Sequence, residues 1–449
     1  MIPAGDLRGA VILSSVFVAI LVAAELWKRL GDPKPEWTRK LVHTGGGIAC
    51  LFFPFLVTSP WTVLLMALPL TVLFVLGGKL GFLQSLHGVK RKSKGAEYYP
   101  LAVFLTFVLT QGRPWLYLPA VLVLAVADAF AALIGSRYGV VRYEVEDEHK
   151  SLEGSLVFLV LAFLAIHLPI LLLTDLPRPV CVLAAVLVAA LVTGFEAISL
   201  QGADNLFVPL AVVVILGKIT SKPLSEIAFQ NVSLLVMCVT VGIAVWKLKS
   251  FNVGGAITFL LFAYGTWSLG NWLWALPVFT GFAGYLLLRR GFAPPKHLQG
   301  VKVRTMVRAL LPAFTMLVLA NGLRTAPPFY APYLAALAAV TAFSLDEGAF
   351  RLERYGAVLR ALAALGLGIL AWGFVGVVPW LRGMHPGTLL AILGTAMAVS
   401  WLNVTLELRG EVPVRPREWS AVRFVLTFAA AGAVLGLQAA GWIADWNLR

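Results

Sequence analysis

Apolar stretches close to the length of a bilayer core recur along this chain from end to end, and that recurrence limits its fold more than any motif does. An apolar helix of about 17 to 25 residues crosses a membrane. Runs approaching that length can be drawn at sixteen places, the first at 10 to 26 and the last at 424 to 445. Composition agrees: 59% of the 449 residues are hydrophobic and 13% charged, far below the roughly one quarter charged of a soluble domain. The sequence therefore predicts an all-α, polytopic integral membrane protein of about 14 to 16 transmembrane helices, with no room for a soluble domain.

Charge sets the expected orientation. If the helices alternate and the first loop is cytoplasmic, 28 of the 36 Lys and Arg fall on the cytoplasmic side and 8 on the other, as the positive-inside rule requires. One missed helix would invert everything after it, so the split supports the helix count too. The net charge of +14 then reads as loops facing anionic lipid rather than as a nucleic-acid surface. The first run, Ala10 to Leu26, follows a nearly uncharged N-terminus without a small-residue cleavage site and reads as a retained helix. Cys50, Cys181 and Cys238 lie in apolar runs with no Cys-x-x-Cys spacing, so neither disulfides nor a metal site is expected.

Five polar stretches break the apolar pattern, all on the predicted cytoplasmic side. Arg39, Lys40 and His43 open the second helix, with Arg39 and His43 one turn apart on the same face. Snorkelling to headgroups accounts for Arg39 and Lys40 as well as phosphate binding does, whereas His43 has no such bland role. Gly45-Gly46-Gly47 behind it would admit a prenyl chain close to the backbone. Lys90, Arg91, Lys92 and Lys94 form a basic run before Glu97-Tyr98-Tyr99-Pro100; anchoring explains the cations but not Glu97.

Asp128 lies inside an apolar helix, where an ionisable group costs at least about 2.5 kcal/mol and marks function by default. Lys150-Ser151-Leu152-Glu153-Gly154-Ser155 begins the sixth helix, where free amides beside a lysine suit a phosphate and where Ser151 equally suits an ordinary N-cap. Glu196 ends the seventh apolar helix, and Asp204 and Asn205 begin the eighth. With Asp128 and Glu153 these supply carboxylates for Mg²⁺, which is usually held by one or two carboxylates plus substrate phosphates. His167 and Asp175 lie toward the opposite face, and His297 and His385 stand alone.

In this order the motifs Arg39-Lys40-x-x-His43, Lys94-Gly95-x-Glu97-x-Tyr99-Pro100, Ala127-Asp128-Ala129-x-Ala131-x-x-Gly135, Lys150-Ser151-x-Glu153-Gly154-Ser155 and Asp204-Asn205-x-x-Val208-Pro209-Leu210 resemble the polyprenol kinase family, which includes phytol kinase, dolichol kinase and CTP-dependent diacylglycerol kinase. The resemblance covers about residues 10 to 245. It implies transfer of the γ-phosphate of CTP (or ATP) to the hydroxyl of a membrane isoprenoid alcohol of the phytol, geranylgeraniol or polyprenol type, with Mg²⁺, at the cytoplasmic face of the cell membrane. The roles it implies are catalytic for Asp128, Lys150, Glu153 and His43, and phosphate-binding for Arg39, Lys40, Lys92, Lys94, Lys150, Ser151, Gly154 and Ser155. Asp128, Glu196, Asp204 and Asn205 would serve the metal, with Glu97 nearby.

The expected division is a kinase-like domain over 1 to 250 and a second membrane domain over 251 to 449. The second half more faintly resembles the phytyl-phosphate kinase family, through Gly254-Gly255-Ala256, Val318-Leu319-Ala320-Asn321-Gly322 and Gly387-Thr388 to Gly394-Thr395. That resemblance implies a second phosphorylation, to the diphosphate. Where that family carries Ala-Asp-Thr and then Ser-Glu, this chain has Ser344-Leu345-Asp346-Glu347-Gly348, leaving Asp346 as the retained acid. Three alternatives stay open: a phosphatidate cytidylyltransferase, which also uses CTP and Mg²⁺ but carries a Lys-Asp and Asp-Arg-x-Asp pattern absent here, a glycerolipid kinase, and a two-repeat transporter. Chain length of the alcohol and oligomeric state are written in no residue.

Overall fold

The computed structural model describes residues 3–33, 35–80, 94–146, 148–248, 252–291, 302–349, 356–408 and 416–446. Its long helices match the sixteen apolar runs one for one. In the first half they are α1 (Ala4–Gly31), α2 (Pro35–Cys50), a single turn α3 (Phe53–Leu56), α4 (Pro60–Leu80) and α5 (Gly95–Thr110), followed by α6 (Pro114–Tyr138). Strands β1 (Arg142–Val145) and β2 (Glu148–Ser151) intervene, and α7 (Leu152–Leu173), α8 (Arg178–Ile198), α9 (Asp204–Ile219) and α10 (Leu224–Leu248) complete it. The second half holds α11 (Val253–Gly270), α12 (Trp272–Gly291), α13 (Val303–Gly322), α14 (Pro327–Ala349), α15 (Ala357–Leu381), α16 (Pro386–Leu408) and α17 (Pro416–Ala439). Among the described residues, eleven helices are long and apolar enough to cross a membrane. The protein is an all-α polytopic membrane protein.

The chain divides into two compact units, Met1–Val236 and Met237–Arg449. The division falls within α10, ahead of the 250/251 junction expected from sequence. The reason lies in what the two ends of that helix touch. Asn231 Nδ2 donates to the Leu183 carbonyl at 3.1 Å, within the first unit, whereas Val241 packs in the core of the second with Phe259 and Phe262.

In the first unit, α1 and α4 are pinned together near their N-termini by Asp6, which is 2% exposed. Its carboxylate accepts from Thr58 N (3.0 Å), Thr58 Oγ1 (2.8 Å), Ser59 N (2.8 Å) and Thr62 Oγ1 (3.0 Å). A buried carboxylate held by four donors is satisfied without a countercharge. Beside it an apolar cluster of Leu13, Cys50, Phe53, Val57, Val63, Phe107 and Tyr117 closes that end of the unit, and Tyr117 donates to the Cys50 carbonyl at 3.1 Å.

The second unit centres on α14, whose Ala331, Ala335, Ala336, Ala338 and Ala339 are fully buried, because small residues let helices approach closely where lipid offers no hydrophobic driving force. Tyr330 and Tyr333 donate to the carbonyls of Leu273 (2.9 Å) and Trp274 (2.5 Å).

The β1–β2 hairpin is absent from the sequence reading, which expected a loop from 142 to 149. Strand pairing sets Arg142 opposite Ser151, Tyr143 opposite Lys150 and Glu144 opposite His149. Glu146 makes the turn at φ +57°, a conformation non-glycine residues adopt uncommonly.

A membrane cavity with one charged end

Three devices build the charged end of a cavity in the first unit. The first is a π-helical turn, Val123–Ala127, inside α6. It makes the Asp128 N–H donate to Val123 O, five residues back, and the Leu124 carbonyl takes His43 Nε2–H instead at 2.8 Å. Such π-bulges occur often at functional sites, where they re-aim a side chain. Asp128 is thereby set against α2: Lys40 Nζ lies 2.9 Å and His43 Nε2 3.2 Å from Asp128 Oδ2. Tyr99 of α5 fixes the same stretch, its hydroxyl donating to the His43 carbonyl at 3.3 Å and its ring meeting the imidazole edge-on at 4.8 Å.

The second device is close approach of α6 and α7. A Cβ added to Gly135 would sit 2.9 Å from Ser151 Oγ and 3.2 Å from Gly154 Cα, so the two helices approach tightly at this pair of glycines. At this crossing Ser151 is the N-cap of α7, its Oγ accepting from Gly154 N at 3.1 Å and donating to Gly135 O at 3.4 Å. The Leu152 amide donates to Val141 O at 2.9 Å, and Glu153 Oε1 accepts from Val141 N at 3.0 Å. The Leu152 and Gly154 amides in the first turn of α7 are thus engaged by the chain itself.

The third device is the hairpin, which carries Lys150 across to the end of α8. Its ammonium donates to the Glu196 carboxylate at 2.7 Å and to the Glu196 carbonyl. Burial works against this ammonium, but the Glu196 and Asp204 carboxylates outweigh it and hold Lys150 above the ordinary lysine value. Tyr143 and Ser155 share a hydrogen bond of 2.7 Å, and Glu148 Oε1 accepts from Gln201 N at 3.1 Å, so the hairpin is tied at both edges. Asp204 sits at the start of α9, accepts its neighbour Asn205 N–H at 3.0 Å, and lies within electrostatic reach of Asp128, Lys150 and Glu196.

All of this opens into one cavity of about 710 Å³, in the range usual for small-molecule sites. Arg39, Lys40, His43, Asp128, Lys150, Glu196, Asp204 and Asn205 line one part of it, and Phe17, Leu21, Met66, Leu70 and Phe74 line another.

A phytol kinase of Synechocystis sp. is 34% identical to this chain over 199 residues, which are 44% of this chain and 85% of that relative. The chain belongs to the phytol kinase family. No family model matches the sequence and no solved structure matches the fold. More than half of the chain lies outside the match, so the family relationship speaks for one part of it.

Of the residues singled out from sequence, Arg39, Lys40, His43, Asp128, Lys150, Ser151, Gly154, Ser155, Glu196, Asp204 and Asn205 share the cavity wall. Glu153 is turned to the Val141 amide, and neither it nor Lys94 nor Glu97 lines the cavity. Lys92 lies outside the described residues, as does the side chain of Asp346 on α14. The structure adds Tyr99, Arg142 and His149 to the wall. For the latter two, the alternation of Tyr143 and Val145 with charged residues was the available strand signal.

Proposed function

We propose that the first unit transfers the terminal phosphate of a nucleoside triphosphate, CTP or ATP, to the hydroxyl of a membrane isoprenoid alcohol. One observation carries this reading: charged groups suited to a polyphosphate and a greasy wall suited to a prenyl chain belong to the same cavity. Membership of the phytol kinase family supports it. In the reaction the alcohol oxygen forms a bond to the terminal phosphorus and gives up its proton to solvent, the bond to the bridging oxygen breaks, and nucleoside diphosphate leaves. Such a transfer needs positioning and charge stabilisation more than covalent chemistry. Arg39 and Lys150 are placed to receive phosphate oxygens, and Lys40 and His43 hold Asp128 where the reacting hydroxyl would arrive.

Mg²⁺ fits the donor set. Among the described residues no three His, Cys, Asp or Glu side chains form a cage, but Mg²⁺ needs only one or two carboxylates when phosphates complete its shell. Asp204 and Glu196 would hold it. Asp128 is already engaged by Lys40 and His43 and serves this proposal as their partner. When bound, the ion would neutralise charge on the transferring phosphates. The excess of cations on one side of the helices supports a site at the cytoplasmic face. A second phosphorylation, to the diphosphate, is assigned to no residue here.

The test is isotopic. Purified protein given a C20 isoprenoid alcohol and labelled CTP or ATP should move γ-label, and no α-label, into the lipid. Transfer of α-label would make the protein a cytidylyltransferase, and phosphorylation of diacylglycerol in preference to the alcohol would make it a glycerolipid kinase.

A further inference from the structure

We infer that the apolar part of the cavity is an arm closed by Cys50, Phe53 and Val63, and that these three residues set the length of the isoprenoid chain the protein accepts. The inference rests on the kinase reading for the chemistry at the other end of the arm. Its walls are helix faces: Val63, Met66, Ala67, Leu70 and Phe74 recur along α4 at the spacing of one stripe, and Phe17, Ile20 and Leu21 do so on α1. Cys50 is 3%, Phe53 3% and Val63 0% exposed, and all three belong to the apolar cluster that also holds Leu13, Val57 and Phe107. Phe53 is further held edge-on by Phe17 at 6.1 Å. The lining therefore ends against packed core, braced by the Tyr117 bond to the Cys50 carbonyl.

Helix rise gives the depth. Arg39 and Cys50 both line the cavity on α2, and Gly78 and Val63 both line it on α4; at about 1.5 Å per residue these spans are about 16 Å and 22 Å. An extended chain advances about 1.2 Å per bond, as the polypeptide backbone does. Four isoprene units, sixteen main-chain carbons, then reach about 19 Å, and the eleven units of a long polyprenol reach about 50 Å. The arm holds the first and cannot hold the second. This selects alcohols of about C15 to C20 and rejects dolichol-length chains.

The experiment is a chain-length profile from C10 to C55, read as kcat/KM for γ-phosphate transfer and, without nucleotide, as thermal stabilisation by each alcohol. The full-length protein should peak at C15 to C20 and lose tenfold or more by C30 in both readouts. Ala67→Phe, which fills the arm, should shift the peak to C10, with C20 turnover falling at least tenfold more than C10 turnover. Phe53→Leu and Val63→Ala, which deepen the floor at a cost in core packing, should extend it toward C25 to C30. Equal use of C55 and C20, or profiles that no variant moves, would overturn the inference. Length-dependent stabilisation without phosphoryl transfer to any alcohol would uphold the arm and overturn the kinase reading instead.

Discussion

Lys150 is the residue at which charge, burial and local fold meet. Its ammonium is held above the ordinary lysine value, because the Glu196 and Asp204 carboxylates outweigh the cost of burial. The sign of the linkage follows. A cation whose folded-state pKa is raised contributes stability that is complete below the unfolded value of about 10.4 and is lost as pH rises through the folded value. Lys150→Met leaves Glu196 half-buried without its cation. Melting temperatures of wild type and variant in detergent should therefore differ by a constant amount from pH 6 to 9 and converge above about pH 10.5; curves parallel into strong alkali would show that the pair contributes nothing. At this scale the sequence was legible residue by residue and illegible in pairs. Asp128 announces itself by sitting in an apolar helix, and Ser151 by preceding one. Nothing in either stretch says that Lys40, 88 positions away, will meet Asp128, or that Lys150 will reach Glu196. Those pairings come from tertiary packing.

At the scale of elements, the crossing of α6 and α7 positions the site. Gly135 and Gly154 face each other there, and a Cβ on Gly154 would come within 3.0 Å of Ala131 O and 3.2 Å of Gly135 Cα. Gly154→Ala should force the helices apart at a cost of about 1 to 3 kcal/mol and reduce phosphoryl transfer more than it reduces nucleotide binding, since Asp128 and Lys150 ride on the two displaced elements. Equilibrium binding of nucleotide beside turnover checks this; unchanged turnover would show that the crossing tolerates a methyl group. The sixteen long helices among the described residues could be read from apolar runs, because a long apolar run is a signal each segment carries alone. The hairpin could not. Its strands are four residues each, and the charges on them look like loop. The π-turn before Asp128 was equally hidden, since Val123–Ala127 is as apolar as any α-helical turn, and the His43 hydrogen bond to Leu124 O that accompanies it comes from another helix.

For the whole molecule, the charged end is gathered by segments from α2, α6, the hairpin, α8 and α9, all in the first unit, so the chemistry proposed here belongs to Met1–Val236. The second unit has its own core around Trp274, Tyr330 and Tyr333. The division between units lies within a helix, which explains why hydropathy alone put it at the next polar break. The central claim is that the charged end of this cavity transfers phosphate, and Asp204 tests it most directly, because its carboxylate lies at that end while its recorded hydrogen bond is a local one to the Asn205 amide. The measurement is the rate of γ-phosphate transfer from nucleotide to a C20 isoprenoid alcohol by full-length Asp204→Asn, beside its melting temperature. A loss of about 100-fold or more at a melting temperature within a few degrees of wild type is the predicted result; transfer at the wild-type rate by the folded variant would contradict the account.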